Sequence, residues 1–371
     1  MHPQQRARAL AEELGFDVFG VAPLRAPRDA EHFRAWLRGG LHADLDYLAR
    51  QVERICDPAR TAPSGTSLLI VGWAHSRAEV ELPRGGRIAR YAAGRDYHNV
   101  MTRKLRKLRA RLAAEGWIRP DALARPVVDA GPLLERSHAA EAGLGFPSKA
   151  ANLLHPRFGP WFFLGELILD VEFEPTPELS SGSCGTCRAC IDACPTGAIV
   201  ADGVVDARKC ISYHTIENRG PIPHELRRDL GTWVFGCDVC SEVCPWGRKA
   251  PDLGARLGTH HAVAELALER WVEMRDAQRW KATFEGSPLQ RARRAGLARN
   301  AALVLGNAPR EGAEPVLLES MVSDPDAMVR EAAAWALVRG YAARSAVQRA
   351  LDGERDPLAR AGIERTLCSE V

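Results

Sequence analysis

Eight of the ten cysteines in this 371-residue chain fall into two blocks, and their spacing constrains the fold more than any other feature. The first block is Cys184-x2-Cys187-x2-Cys190-x3-Cys194-Pro195, and the second is Cys210 followed by Cys237-x2-Cys240-x3-Cys244-Pro245. Each iron of a 4Fe-4S cubane needs one thiolate. A tight C-x2-C-x2-C loop wraps three corners and cannot reach the fourth, and in such runs the cysteine before proline ligates the other cluster of a pair. The spacing therefore assigns cluster one to Cys184, Cys187, Cys190 and Cys244, and cluster two to Cys194, Cys210, Cys237 and Cys240. The step from Cys210 to Cys237 is 27 residues, so the segment 211–236 is long enough to do more than join two ligands.

Zinc would use C-x2-C pairs but has no need of the four-cysteine run ending in proline. Disulfides need an oxidising compartment, and no apolar signal segment or twin-arginine leader is visible, so a cytoplasmic protein is expected. Cys56 and Cys368 stand outside both blocks and read as ordinary thiols. Usage is that of a globular protein, with 46% hydrophobic and 26% charged residues. A net charge of +3 is too small to argue for nucleic acid without local clustering. No apolar run is long enough for a membrane span.

Residues 1–175 read as alternating helices and strands. Ala7, Leu10, Ala11 and Leu14 recur at helical spacing, Asp17 to Ala22 reads as a strand, and Ser67 to Trp73 is a continuous apolar run of buried-strand type. Thr102 is a candidate cap for a helix whose Leu105, Leu108 and Leu112 face inward. Its other face, Arg103 to Arg111, is strongly basic and reads as a solvated face, with phosphate binding as the alternative. Pro126 to Asp129 looks like a strand ending in a carboxylate, and Trp161 to Phe173 like another strand. Taken alone, Asp129 before Ala130-Gly131-Pro132 reads as a helix N-cap.

From about residue 285 the chain is rich in Ala, Leu and Arg and repeats: Arg299-Asn300-Ala301, Arg330-Glu331-Ala332 and Arg360-Ala361-Gly362 recur at intervals of 31 and 30. Such a period suggests HEAT-like helical hairpins, whose stacked face suits a long partner, with a purely structural cap as the alternative. Arg291, Arg293, Arg294 and Arg299 lie beside it and offer phosphate contacts. The expected organisation is α+β: residues 1–175, a two-cluster domain over 176–284, and a helical repeat domain over 285–371.

Several longer strings carry a more specific resemblance. Val127-Val128-Asp129-Ala130-Gly131-Pro132-Leu133-Leu134-Glu135-Arg136, Cys210-Ile211-Ser212-Tyr213-His214-Thr215-Ile216-Glu217 and Trp233 to Trp246 resemble the epoxyqueuosine reductase family, as do Tyr91 to His98 and Arg299-Asn300-Ala301. The resemblance covers nearly the whole chain. It implies a corrinoid-dependent enzyme with two 4Fe-4S clusters that takes the epoxide oxygen from epoxyqueuosine at the wobble base of tRNA, leaving queuosine. It further implies that residues 1–175 hold cobalamin in an α/β domain, that the helical tail lies on tRNA, for which Arg291, Arg294, Arg299 and Asn300 are the candidate contacts, and that Asp129 is the proton donor. A buried Asp129 beside the corrin is expected to have a raised pKa. Arg60, Tyr97, His98 and Arg136 fall in segments similar to the corrin-binding region, with His98 expected to bond corrin amides rather than cobalt. Ser212 and Tyr213, next to a cluster ligand, are candidates to line the corrin or substrate cavity. The chain departs from the family pattern at Ser148-Lys149-Ala150, where Lys149 persists but a family Asn does not, and at Gly159-Pro160.

The expected partners are epoxyqueuosine-bearing tRNA and an external flavodoxin- or ferredoxin-type reductant, with the protein acting as a monomer. Two alternatives stand beside this reading: a cobalamin-dependent reductive dehalogenase, and a ferredoxin-type electron carrier whose tail docks a protein. The first is disfavoured by the tail, the second by 175 residues left without a role.

Overall fold

The computed structural model describes residues 2–178 and 182–368. Two compact units emerge, and neither is a continuous stretch. The first comprises Met1–Ala78, Asp96–Ala207 and Val239–Arg256, and the second Glu79–Arg95, Arg208–Asp238 and Leu257–Val371. This differs from the expected boundaries at 175 and 284, because the segment after Cys210 folds with the C-terminal helices rather than with the cysteine blocks around it.

The first unit is built on a four-stranded antiparallel sheet. In chain order its elements are α1 (Pro3–Glu13), β1 (Val18–Pro23), β2 (Ser67–Ala74), α2 (Tyr97–Ala114), β3 (Ala124–Val127), α3 (Glu135–Glu141) and β4 (Phe162–Leu169). The spatial order is β1-β2-β4-β3. Every residue of β2 is buried, which explains its unbroken apolar run. Each large aliphatic side chain buried there contributes about 1.5–3 kcal/mol. Alternation then divides β4: Gly165 approaches Met101, Leu105 and Val128 on the side of α2, while Glu166, its neighbour, is fully buried. On α2, Leu105, Leu108 and Leu112 face the sheet as the periodicity predicts. The helix begins five residues earlier than Thr102, because Asp96 is the cap: its side chain accepts the His98 backbone N–H at 2.9 Å. The basic face is only partly solvated, since Lys104 lies 4.1 Å from the Trp73 ring centroid and Arg111 pairs with Glu13.

The second unit contains α4 (Ile211–Ile216), β5 (Trp233–Phe235) and the helices α5 (Arg293–Asn307), α6 (Ala313–Ser323), α7 (Ala327–Tyr341), α8 (Arg344–Gly353) and α9 (Pro357–Cys368). β5 pairs in parallel with Arg87–Ile88. In the tail α5 packs on α7 and α7 on α9, so helices one sequence repeat apart stack, and α6 packs on α7 as well. A Cβ at Gly306 would come within 2.7 Å of the Ala336 backbone, which shows how closely α5 and α7 approach. Among the described residues no helix is long and apolar enough to cross a membrane.

Candidate active site

The cysteine blocks form short loops and single-turn helices, because a chain that must point three thiols at one cluster cannot continue a regular element. In the first unit a small cavity is lined by Cys184, Cys187, Cys190 and Cys244, with Cys240, Ser148, Asn152, Pro160 and Trp246 also at its wall. The four thiols assigned to cluster one thus face a common space, and none of them is disulfide-bonded. Burial pushes the Cys190 thiol up, as do the neighbouring thiols of Cys184 and Cys244. Cys194 accepts the backbone N–H of Ala198 at 3.3 Å. Cys210 occupies the position before the first turn of α4 in the second unit, and Cys237 follows β5.

One residue at this cavity, Asn152, was not singled out by sequence reasoning. The Asn152 amide lies 3.9 Å from Cys240 Sγ and 3.5 Å from Ser241 Oγ, so it is placed as a donor to a ligand sulfur. It stands two positions after Ala150, where the family Asn is missing. Ser148 Oγ accepts the Asn152 N–H at 3.0 Å and closes this turn. Gly159 has φ 55°, and a side chain there would meet the Trp246 carbonyl at 2.7 Å, so this departure segment is fixed by close packing.

A second constellation lies where β3 ends. Asp129 is not a helix cap; α3 starts at Glu135. Instead, Asp129 is a non-glycine residue with φ 57°, bridged by an Ala130 N–H to Val128 carbonyl bond of 2.6 Å. So tight a turn costs on the order of 1–3 kcal/mol, and strain of this kind concentrates at functional positions. Gly131 permits it: a Cβ there would fall 2.2 Å from Val127 Cγ1. The Tyr97 hydroxyl donates to Asp129 Oδ2 at 2.5 Å, and His98 Nε2 lies 3.4 Å from the same oxygen. The other ring nitrogen, His98 Nδ1, is 2.7 Å from Asp96 Oδ1. Phe163 of β4 stacks on Tyr97 at 4.3 Å between centroids and holds the phenol in place. The Asp129 side chain is 66% exposed and open to a substrate.

The electrostatics of the protein groups alone run opposite to one expectation, the raised pKa of Asp129. The His98 hydrogen bond draws the Asp129 carboxyl below its ordinary range; burial opposes this, and Tyr97 adds to it. With the protein groups alone around it, Asp129 is held toward its ionised form. Burial works against the charge on His98, yet the bonds to Asp129 and Asp96 lift it to about 9, so the imidazole is the protonated member of the pair. Behind the loop, Glu135 accepts the Asp129 backbone N–H, but burial and the adjacent Glu166 push its pKa well up. Burial raises Glu166 to about 8.

The remaining predicted contacts divide. Arg136 donates to the Ala151 carbonyl and helps keep Asp129 ionised, and Lys149 pairs with Asp202 at 3.3 Å. Arg60 is exposed and pairs with Asp57 and Glu53 rather than with the Asp129 group. Ser212 and Tyr213 occupy the first turn of α4, in the second unit. Two of the predicted tRNA contacts are corrected outright. Arg299 and Asn300 are 1% and 0% exposed. Arg299 donates to the carbonyls of His214, Asn218 and Gly220, and Asn300 to those of Thr215 and Val234. They satisfy two carbonyls in the last turn of α4, His214 and Thr215, and three in the segment that follows, a need that a sequence pattern does not display. Arg294 is committed to a bidentate pair with buried Asp324, at 2.9 Å for both bonds. Only Arg291 of the four is exposed, beside Glu217 at 2.7 Å.

Comparison with known proteins agrees with this arrangement. The family model described as "Epoxyqueuosine reductase QueG, DUF1730" matches residues 56–130, and "4Fe-4S double cluster binding domain" matches 183–247. The second match places two 4Fe-4S clusters on the cysteine blocks. An epoxyqueuosine reductase of Xanthomonas campestris is 39% identical over 348 residues, covering 90% of this chain and 95% of that protein. Another, from Escherichia coli, is 34% identical over 353 residues, covering 92% and 90%. A crystal structure of epoxyqueuosine reductase with an epoxyqueuosine-modified tRNA-Tyr stem loop superimposes with a TM-score of 0.87 at 28% identity, covering 98% of this chain and 97% of that one. The structure of the Bacillus subtilis enzyme with an aspartate-bearing catalytic loop swung out of the active site gives 0.85 at 28% identity and the same coverage. Likeness sustained from end to end, on a chain that pairs two cluster-binding blocks with a strained, exposed carboxylate, places this protein in the epoxyqueuosine reductase family.

Proposed function

We propose that this protein reduces epoxyqueuosine to queuosine at the wobble position of tRNA, in the cytoplasm and as a monomer. What carries the reading is the exposed Asp129 carboxylate, strained on a tight turn, in a chain similar over nine-tenths of its length to epoxyqueuosine reductases. The clusters relay single electrons from an external flavodoxin- or ferredoxin-type reductant. Cobalamin is the second cofactor, and when bound it supplies a strongly reducing centre to the epoxide. The donor set of the first unit suits its amide-bearing rim. Lys149 and Arg60 offer cationic donors, and the Thr61 hydroxyl is buried with no partner among the described residues. Tyr97, His98 and Asp129 then present their polar edge to the reacting oxygen. Tyr97 and His98 orient the carboxylate; Asp129 handles protons at the departing atom.

The helical tail is read as HEAT-like repeats that meet tRNA through exposed basic residues such as Arg291 and Arg293. Arg299 and Asn300 act beneath that surface. The test is anaerobic incubation of the cluster- and cobalamin-loaded protein with epoxyqueuosine-containing tRNA and a strong reductant, followed by nucleoside mass analysis. Loss of one oxygen from the modified base is expected. A fully loaded protein that leaves the nucleoside unchanged overturns the reading.

A further inference from the structure

Stoichiometry asks for two protons at the departing oxygen, and a carboxyl held in its charged form needs a source for each. Converting an epoxide to an alkene breaks both carbon–oxygen bonds, forms a carbon–carbon π bond and releases the oxygen as water. The balance is two electrons in, from the clusters, and two protons in. A single carboxyl carries one proton at a time, and Asp129 is held as a carboxylate.

We propose that His98 is the proton store of this site: protons reach the departing oxygen from its imidazolium through Asp129, and Asp96 holds the ring for that transfer. The inference rests on the proposed epoxide reduction and deepens it. Asp96 Oδ1, 2.7 Å from Nδ1, fixes which edge of the ring turns toward Asp129. Nε2 then lies 3.4 Å from Asp129 Oδ2, the oxygen that also accepts from the Tyr97 hydroxyl. A carboxylate–imidazole–carboxylate line of this kind binds a proton tightly at its centre and releases it at an end where negative charge develops. The growing charge on the departing oxygen is that end. The His98 side chain is 37% exposed, so water recharges it between the first and second transfer. The charged and titratable groups around the line are Asp96 and Tyr97 at the start of α2, Asp129 on the turn after β3, and Glu135 and Arg136 on α3, which act on Asp129. His98 thus acts through Asp129 as a positioning residue for the proton.

Two measurements test this. In the unloaded protein, the His98 ring followed by NMR should titrate near 9, and its midpoint should fall toward the ordinary histidine value in Asp96→Asn and in Asp129→Asn. A wild-type midpoint at the ordinary histidine value overturns the proposal without any enzyme assay. In the loaded enzyme, His98→Gln keeps hydrogen-bonding atoms but stores no proton. It should lose about 10²-fold or more in kcat with little change in KM for tRNA, as expected for removal of an acid–base group. His98→Ala should be partly rescued by added imidazole. Wild-type turnover and pH profile in His98→Gln, with Asp129→Asn inactive, overturn the store while leaving the Asp129 reading intact. Full activity in Asp129→Asn would remove that reading itself.

Discussion

Asp129 owes its properties to neighbours more than to its own burial. Its backbone is held in a left-handed turn and its carboxylate is charged by His98, so the loop and the proton line are set together. Asp129→Asn should lower turnover by about 10²-fold or more while tRNA binding, read by gel shift, stays unchanged. The rate of the wild-type enzyme should fall as pH rises through about 9, where His98 loses its proton, and Asp96→Asn should move that limb to lower pH. Glu166 supplies a stability test at the same scale. Its pKa is raised to about 8 in the fold, so its contribution is complete below the unfolded carboxyl value and lost as pH rises toward 8. Glu166→Gln should therefore gain in melting temperature relative to wild type at pH 8 and gain little at pH 5. A gap independent of pH would show that Glu166 is not neutral in the fold. At Asn152, replacement by Leu should move a cluster potential to more negative values in film voltammetry, because hydrogen bonds to ligand sulfur stabilise the reduced state.

At the scale of elements, α4 and α5 show what sequence does and does not reveal. The cysteine spacing, the buried strand β2 and the inner face of α2 were all legible, since each follows from periodicity or ligand geometry. Asp96 was missed as a cap because Thr102 precedes the leucine stripe more directly, while the real helix starts on a polar turn that serves the site. Arg299 was misread for a stronger reason. A repeated arginine looks the same in sequence whether it faces phosphate or a helix terminus, and only the fold shows the carbonyls. Its repeat partners behave alike, Arg330 bonding the Asp324 carbonyl at 2.9 Å and Arg360 that of Leu351 at 3.2 Å. Arg299→Ala should cost about 3 kcal/mol or more in urea unfolding, because it leaves several buried carbonyls without a donor. Arg291→Ala should stay within about 0.5 kcal/mol of wild type, being a surface change.

For the molecule as a whole, anaerobic reconstitution should load about eight irons per chain, and Cys210→Ser should hold about four. Equal loading of the two proteins near eight irons would remove Cys210 from the ligand set, and a wild-type yield near four would break the two-cluster assignment. Replacing Arg291 and Arg293 together should reduce the slope of log tRNA affinity against log salt by about two, one for each lost phosphate contact. An unchanged slope moves the nucleic-acid surface elsewhere.

The grip of Arg299 and Asn300 on the carbonyls that follow Cys210 also orders events in time. During synthesis the cysteines at 210 and 237 leave the ribosome well before residues 299 and 300 exist to tie down their segment. Iron loading of that segment must then await the late part of translation, and a nonsense product ending before α5 should be recovered deficient in iron although it retains all eight ligand cysteines.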